Sequence, residues 1–328
     1  MLIESSEYRS WLPVAYSDEV ESKPKSVRLL NEPIVLWRDA SGTCSAMRDL
    51  CIHRGTALSL GKVCESELVC PYHGWRFAAD GRCTFIPQLD NPCKVPAKAR
   101  VQNYLCEERF GIIWVALSAP QYPLPVVPEL ENSQWRSVRT GPFEWKSSAA
   151  RQLENFTDLA HFPFVHPELL GDPERTLVPP HVVTREGNVL SYEIVRPEAP
   201  NTEEFPIFGN TQTQTPTRRS RYELHLPFTI LLRIGWGGEE GMVYFFTSQP
   251  IADNACRGYC IVARNYNLDQ EDDVIQKFED VIFDQDKFIV ESQRPEQVPF
   301  DLSEELHLKF DAVAVAYRKA MKELNYSP

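Results

Sequence analysis

The chain reads as an α+β protein in two parts: a small antiparallel β domain, then an antiparallel sheet with helices segregated around it. Three observations point there. Residues 20–117 consist of short apolar or β-prone runs broken by turn signals. A stretch with Pro120, Pro123, Pro125 and Pro128 follows, suited to a semi-rigid linker. Beyond it, alternating segments give way at the C-terminus to helical periodicity. The length of 328 residues agrees with domains of roughly 150 residues. The boundary is expected near residue 120, giving domains 1–120 and 121–328.

In the first part, Pro33–Trp37, Leu68–Cys70, Arg76–Ala78 and Gly111–Val115 are strand candidates, separated by turns such as Asp39-Ala40-Ser41-Gly42 and Asp80-Gly81. In the second, Arg151–His161 has a helical pattern, and Val189–Val195, Ser220–Arg233, Gly241–Pro250 and Arg257–Asn267 alternate as strands. Asp269, Asp272 and Asp273 suit the first turn of a helix running through Phe278–Val290. A second amphipathic helix is expected over Ser303–Leu324. The chain has no repeat of 20 to 50 residues.

Composition narrows the function classes. A formal charge of −12 argues against a nucleic-acid partner, which demands a basic face. All of that charge lies beyond residue 120: the first 120 residues carry 14 basic and 14 acidic side chains, leaving 20 against 32. The longest apolar run, about Phe110–Leu117, falls far short of the roughly 18 residues of a membrane span, so no membrane partner is expected. The first residues have neither the basic nor the apolar region of a secretory signal. A cytoplasmic location is therefore expected, and nine cysteines there read as thiols or metal ligands rather than disulfides.

Two motifs carry the chemistry of the first part. Cys51-x-His53-Arg54-Gly55 and Cys70-Pro71-Tyr72-His73-Gly74-Trp75 are matched half-sites, each with one thiolate, one imidazole and a glycine that lets the backbone fold closely round a ligand. All four side chains on one tetrahedral zinc is one reading. Two cysteines on one iron and two histidines on the other, a Rieske 2Fe–2S centre, is the second. The remaining Cys44, Cys64, Cys83, Cys93 and Cys106 of this part are expected as buried free thiols.

The second part holds Asn155-Phe156-Thr157-Asp158-Leu159-Ala160-His161 and, past Pro163, His166. A helix would put Asp158 and His161 on one face, and the proline would end it and turn the second imidazole toward the first. Two imidazoles and one carboxylate make the facial triad of non-haem Fe(II) oxygenases, with positions open for O2. The carboxylate is expected from Phe283–Gln293, Asp286 first and Asp284 as the alternative. Four of the seven histidines fall in these motifs. Phe156, Leu159, Phe164, Phe228, Leu232, Trp236, Val281 and Ile282 are candidates for an apolar substrate pocket, with Asn155 a polar group near the metal.

The Cys-x-His and Cys-x-x-His pattern resembles the Rieske domain over about residues 10–118. With Glu154–Asp158, His166-Pro167, Phe283-x-x-Asp286-Lys287 and Glu291-Ser292-Gln293, nearly the whole chain resembles the α subunit of a Rieske non-haem iron oxygenase. It is particularly similar to the methylxanthine N-demethylase oxygenases and, more weakly, to vanillate-type O-demethylases and saxitoxin-pathway hydroxylases. The resemblance implies a helix-grip (START-like) catalytic domain. It places Cys51, His53, Cys70 and His73 on the cluster and His161, His166 and Asp286 on the mononuclear iron. It makes Asp158 the bridge between iron and cluster across a head-to-tail homotrimer. It further implies O2 as co-substrate and a separate NAD(P)H-dependent reductase, with or without a ferredoxin module, as electron source. The expected reaction is oxidative N- or O-demethylation or hydroxylation of a small aromatic or heterocyclic molecule. A ring-hydroxylating dioxygenase forming a cis-dihydrodiol, and a Rieske electron-transfer protein, are the alternatives. Arg48, Arg54, Lys62 and Arg76 are candidates for the reductase-docking surface.

Overall fold

A computed structural model of the protein describes residues 5–197, 201–209 and 217–327. They divide into two compact units, residues 7–123 and residues 124–327 together with 5–6.

The first unit is built from ten strands: β1 (Leu12–Tyr16), β2 (Lys25–Leu29), β3 (Glu32–Arg38), β4 (Cys44–Arg48), β5 (Lys62–Cys64), β6 (Glu67–Val69), β7 (Arg76–Phe77), β8 (Cys83–Phe85), β9 (Asn103–Arg109) and β10 (Ile112–Ala116). Six pair antiparallel in the order β1-β10-β9-β4-β3-β2, and β5 to β8 form a four-stranded meander. β1 and β10 are buried along their whole length, which is why they read as continuous apolar runs rather than alternating ones. Beside the meander, Trp37, Met47, Leu58, Leu68 and Phe77 form a core that includes Cys51 and Cys70. All nine cysteines are free. Cys83 is buried as expected and Cys44, Cys64 and Cys106 are half-buried, but Cys93 is exposed because it sits in a surface turn closed by Lys94 N–H donating to the Asn91 carbonyl.

The second unit centres on an antiparallel sheet of seven strands. These are β11 (Arg136–Trp145), β12 (Thr184–Glu186), β13 (Val189–Pro197), β14 (Thr217–His225), β15 (Thr229–Gly235), β16 (Gly241–Ala252) and β17 (Ala255–Arg264). Their order is β11-β17-β16-β15-β14-β13-β12. β14 buries every second residue, Arg218, Ser220, Tyr222 and Leu224, as a strand with one covered face must. The expected single strand over Ser220–Arg233 is instead a hairpin, turning after His225 so that His225 pairs with Thr229. The charged β11 has no clear strand pattern in sequence; its pairing with β17 makes it one.

Among the described residues, five α-helices accompany the sheet: α1 (Pro128–Glu131), α2 (Ala149–Thr157), α3 (Phe162–Val165), α4 (Asp272–Val290) and α5 (Ala312–Glu323). α4 presents Ile275, Phe278, Glu279, Ile282, Phe283, Asp286 and Val290 as one buried stripe at helical spacing. Its Phe283 stacks on Phe143 of β11 at 3.9 Å. α5 begins nine residues later than the Ser303 start read from sequence. α2 lies close against β17: a Cβ at Gly258 would meet the Phe246 ring at 2.9 Å and the Gln152 amide at 3.0 Å, so only glycine fits.

Candidate metal centres

In the first unit, two loops of identical design present the Cys/His half-sites. The Cys51 N–H donates to the Thr56 carbonyl and the Gly55 N–H to the Cys51 carbonyl; the Cys70 N–H donates to the Trp75 carbonyl and the Gly74 N–H to the Cys70 carbonyl. Each loop therefore closes over the same five-residue span, and the turn needs the left-handed backbone that Gly55 (φ +70°) and Gly74 (φ +72°) supply. The result brings His53 Nδ1 within 3.2 Å of His73 Nδ1. His53 stacks on Trp75 at 4.6 Å, and Gln88 locks that wall by accepting from Trp75 Nε1 at 3.1 Å and donating to the His73 carbonyl at 2.9 Å. Buried thiols on one side and converging, half-exposed imidazoles on the other fit a cluster with one iron held by the two cysteines and the other by the two histidines. Gln88 lies outside both motifs, and no spacing in the sequence points to it.

In the second unit, α2 starts at Ser148, whose hydroxyl accepts from Arg151 N–H, and ends at Thr157. It does not reach His161 as the sequence pattern suggests. Asp158 is already extended, and its Oδ1 accepts from the Ala160 N–H at 2.8 Å, an Asx turn that competes with helix continuation. The turn carries the chain to His161 and into the single-turn α3, with Pro163 in its first turn; His166 follows it. Asp158 and His161 thus meet through a turn rather than on a helix face.

His161 and His166 converge with Asp286 of α4, their donor atoms all within 4.8 Å of one another. The two Nε2 atoms lie 3.3 and 2.9 Å from Asp286 Oδ1, yet both are buried without a hydrogen-bond partner. Two ligands about 2.1 Å from one ion and at right angles are about 3 Å apart, so the set is spaced for a single cation. The other ring nitrogens are committed. His161 Nδ1 faces Asp158 Oδ2 at 3.1 Å and His166 Nδ1 faces Gln285 Oε1 at 2.7 Å, an arrangement that favours protons on Nδ1 and leaves each Nε2 able to coordinate a cation. Burial alone would lower the His161 pKa, but the Asp158 and Asp286 carboxylates raise it to about 9, so the centre draws positive charge. Asn155 Nδ2 donates to Asp286 Oδ1 at 3.2 Å, while Asp284 is exposed on the opposite side of α4.

The three groups open on a cavity walled by Phe156, Tyr222, Leu232, Tyr244, Ile282 and Phe283. Of the pocket candidates, Asn155, Phe156, Leu232 and Ile282 line it. The other five do not. Phe164 points to solvent, 70% exposed, on the outer side of α3. Phe228 is buried in the hairpin turn between β14 and β15, and Trp236 packs edge-on to Tyr266 beyond the end of β15. Val281 falls outside the buried stripe of α4, and Leu159 sits in the Asx turn with no wall position. Sequence reasoning misses Gln285, Tyr222, Tyr244 and Glu279. Glu279 has a sequence signal, since it interrupts the apolar stripe of α4 just as Asp286 does.

Comparison with known proteins agrees with this geometry. Residues 10–105 match the Rieske [2Fe–2S] domain, and residues 145–326 match the vanillate O-demethylase oxygenase C-terminal domain. The chain is 33% identical to the methylxanthine N1-demethylase NdmA of Pseudomonas putida, over 96% of this chain and 88% of that protein. It is 30% identical to the N3-demethylase NdmB of the same organism, over 97% and 89%. The structure of Pseudomonas putida CBB5 NdmA with caffeine superposes with a TM-score of 0.83 at 30% identity, covering 98% of this chain and 96% of that one. Dicamba monooxygenase bound to dicamba, at 21% identity and a TM-score of 0.84 over 98% of each chain, shares the fold. By the match of both domains and of full-length relatives, this chain belongs to the Rieske non-haem iron oxygenases, as a monooxygenase of their demethylase branch that uses a 2Fe–2S cluster, a mononuclear iron and O2.

Proposed function

We propose that this protein is the terminal oxygenase of a demethylating system, in which residues 1–120 receive electrons and residues 121–328 oxidise a small N- or O-methylated aromatic or heterocyclic substrate. One observation carries the reading: two buried, unpartnered imidazole nitrogens and the Asp286 carboxylate converge at the mouth of an apolar cavity. Cys51, His53, Cys70 and His73 hold the cluster; His161, His166 and Asp286 hold the iron. When bound, the iron supplies activated oxygen, and hydroxylation of a methyl carbon on nitrogen or oxygen releases formaldehyde and the demethylated product.

The chain's own groups prepare the site. Asp158 and Gln285 keep the two histidines in the Nδ1–H tautomer. Asn155 donates to one Asp286 oxygen and so fixes the carboxylate's rotation. Phe156, Ile282 and Phe283 exclude water and hold the substrate's rings.

Electrons come from a separate NAD(P)H-dependent reductase. Arg48 is paired with Glu32 and Arg76 lies near Glu67, leaving the exposed Arg54 and Lys62 as the groups that attract an acidic redox module. The functional unit is a cytoplasmic head-to-tail homotrimer. The Asp158 side chain keeps 43% of its surface exposed, enough to accept a second hydrogen bond from the partner subunit's His73.

The test is anaerobic purification with iron and sulfide analysis, followed by turnover with added reductase. Three irons and two sulfides per chain, a Rieske signal after dithionite reduction and formaldehyde from an N-methylated heterocycle support the reading. Two irons and no substrate oxidation refute it in favour of an electron carrier. Zinc without sulfide refutes both.

A further inference from the structure

Two cysteines outside the cluster motifs come together in the first unit. β4 and β9 pair antiparallel at Ala46–Tyr104 and Met47–Asn103, and two residues further along the same register Cys44 stands opposite Cys106. The Cys106 thiol hydrogen-bonds the Cys44 sulfur. Residues opposite one another in an antiparallel ladder have Cα atoms about 4.5 to 5.5 Å apart, inside the roughly 4.4 to 6.8 Å that a disulfide spans. Both cysteines are free and only half-buried, so a small solute reaches them. On its other side Cys44 pairs with Arg38 of β3, whose guanidinium is fixed by the Val20, Gly42 and Ser17 carbonyls at 2.8, 2.8 and 2.9 Å and by the Glu108 carboxylate at 2.7 and 3.1 Å. A held positive charge therefore acts on the Cys44 sulfur.

We propose that Cys44 and Cys106 form a peroxide-oxidised dithiol, in which Cys44 is the attacking thiol and Cys106 closes a reversible cross-strand disulfide. The oxidant is hydrogen peroxide, which O2 becomes when two electrons and two protons reach it and no substrate takes its oxygen. The Cys44 sulfur attacks one peroxide oxygen, the O–O bond breaks, and the leaving hydroxide takes up the thiol proton as water. The Cys106 sulfur then displaces the hydroxyl of the Cys44 sulfenic acid, forming the S–S bond and a second water. Two thiols lose two electrons and two protons, and one peroxide becomes two waters. The surroundings suit that order. The hydrogen bond from Cys106 and the charge of Arg38 hold the Cys44 pKa below its ordinary 9.0, against burial and the negative Glu108. The same bond, with burial, raises Cys106, which keeps its proton until the second step. A partly exposed thiol beside a cation, with a resolving thiol in reach, is the setting in which cysteines react with peroxide. In a reducing compartment such a disulfide is transient, and thiol exchange restores the dithiol.

The test treats the full-length, cluster-loaded protein and its Cys44→Ser and Cys106→Ser variants with hydrogen peroxide, quenches with catalase, alkylates and digests with trypsin in the absence of reductant. Cleavage isolates Cys44 in residues 39–48 and Cys106 in residues 101–109. The expected result is that wild type, monomeric on a non-reducing gel, yields these two peptides joined, two hydrogens lighter than their sum and separated by dithiothreitol. In Cys106→Ser, Cys44 stops at the sulfenic acid and takes up dimedone about tenfold faster than the exposed Cys93. In Cys44→Ser, Cys106 stays free of dimedone. Recovery of both wild-type peptides separately alkylated overturns the proposal, and so does a joined pair found only in a covalent dimer. Dimedone on Cys93 before Cys44, or on Cys106 in Cys44→Ser, overturns the assigned roles. The wild-type peptide map needs no substitution, so it decides the disulfide even where a variant fails to fold.

Discussion

Gln285 Oε1 lies 2.7 Å from His166 Nδ1, so the residue immediately before Asp286 holds the imidazole whose other nitrogen faces the Asp286 carboxylate at 2.9 Å. One turn of α4 therefore delivers both a carboxylate of the candidate metal centre and the group that orients one of its histidines.

Gln285→Leu is expected to weaken iron binding 10- to 100-fold, the usual cost of losing a group that orients a metal-bound histidine. The 2Fe–2S content stays unchanged. Iron titration of apo protein, with the Rieske EPR signal as internal standard, measures it; an unaltered iron affinity would show that packing alone orients His166.

Asp286→Ala removes a ligand and is expected to leave two irons and two sulfides per chain, with no formaldehyde formed. Asp284→Ala, on the exposed side of the same helix, is expected to retain all three irons and wild-type turnover. Metal analysis of the two variants side by side separates the roles of these carboxylates, and the reverse pattern would reassign the ligand.

A pH effect is expected in the first unit. Hydrogen bonds from Arg38 at 2.7 and 3.1 Å hold the Glu108 carboxyl below its ordinary value of 4.5. Its folded pKa is depressed, so its contribution is complete above about pH 4.5 and is lost as pH falls through the folded value. The pair is partly exposed, and solvent screening limits it to about 1 kcal/mol or less. Urea unfolding of Glu108→Gln should show a deficit at pH 7 that narrows below pH 4.5; a deficit constant with pH would mean the effect is steric.

Gly55→Ala isolates the backbone cost of the cluster loop. No atom lies within 4 Å of the added Cβ, so only the φ of +70° is strained, at roughly 1–2 kcal/mol. The expected outcome is a lower urea midpoint with the visible spectrum of the cluster retained. Loss of the spectrum at full stability would instead implicate the loop's shape in cluster assembly.

The sequence by itself determined the two-part organisation, the matched half-sites at Cys51/His53 and Cys70/His73 and the pairing of His161 with His166, because short motifs fix their ligand types and loop chemistry locally. It also determined the amphipathic stripe of α4, whose period is visible over five turns. Only the tertiary structure decided which carboxylate of α4 joins the histidines, since Asp284 and Asp286 differ by where the helix faces the sheet. The same held for Gln285, whose partner is 119 residues away. The end of α2 is not legible in sequence because the Asx turn at Asp158 overrides a continuing helical pattern. Phe164 and Trp236 fail as wall residues because apolar character records that a side chain prefers burial, not which surface buries it. Packing distributes the aromatics between core, cavity and solvent, and that distribution, from Phe156 to Phe283, shapes what the iron is offered.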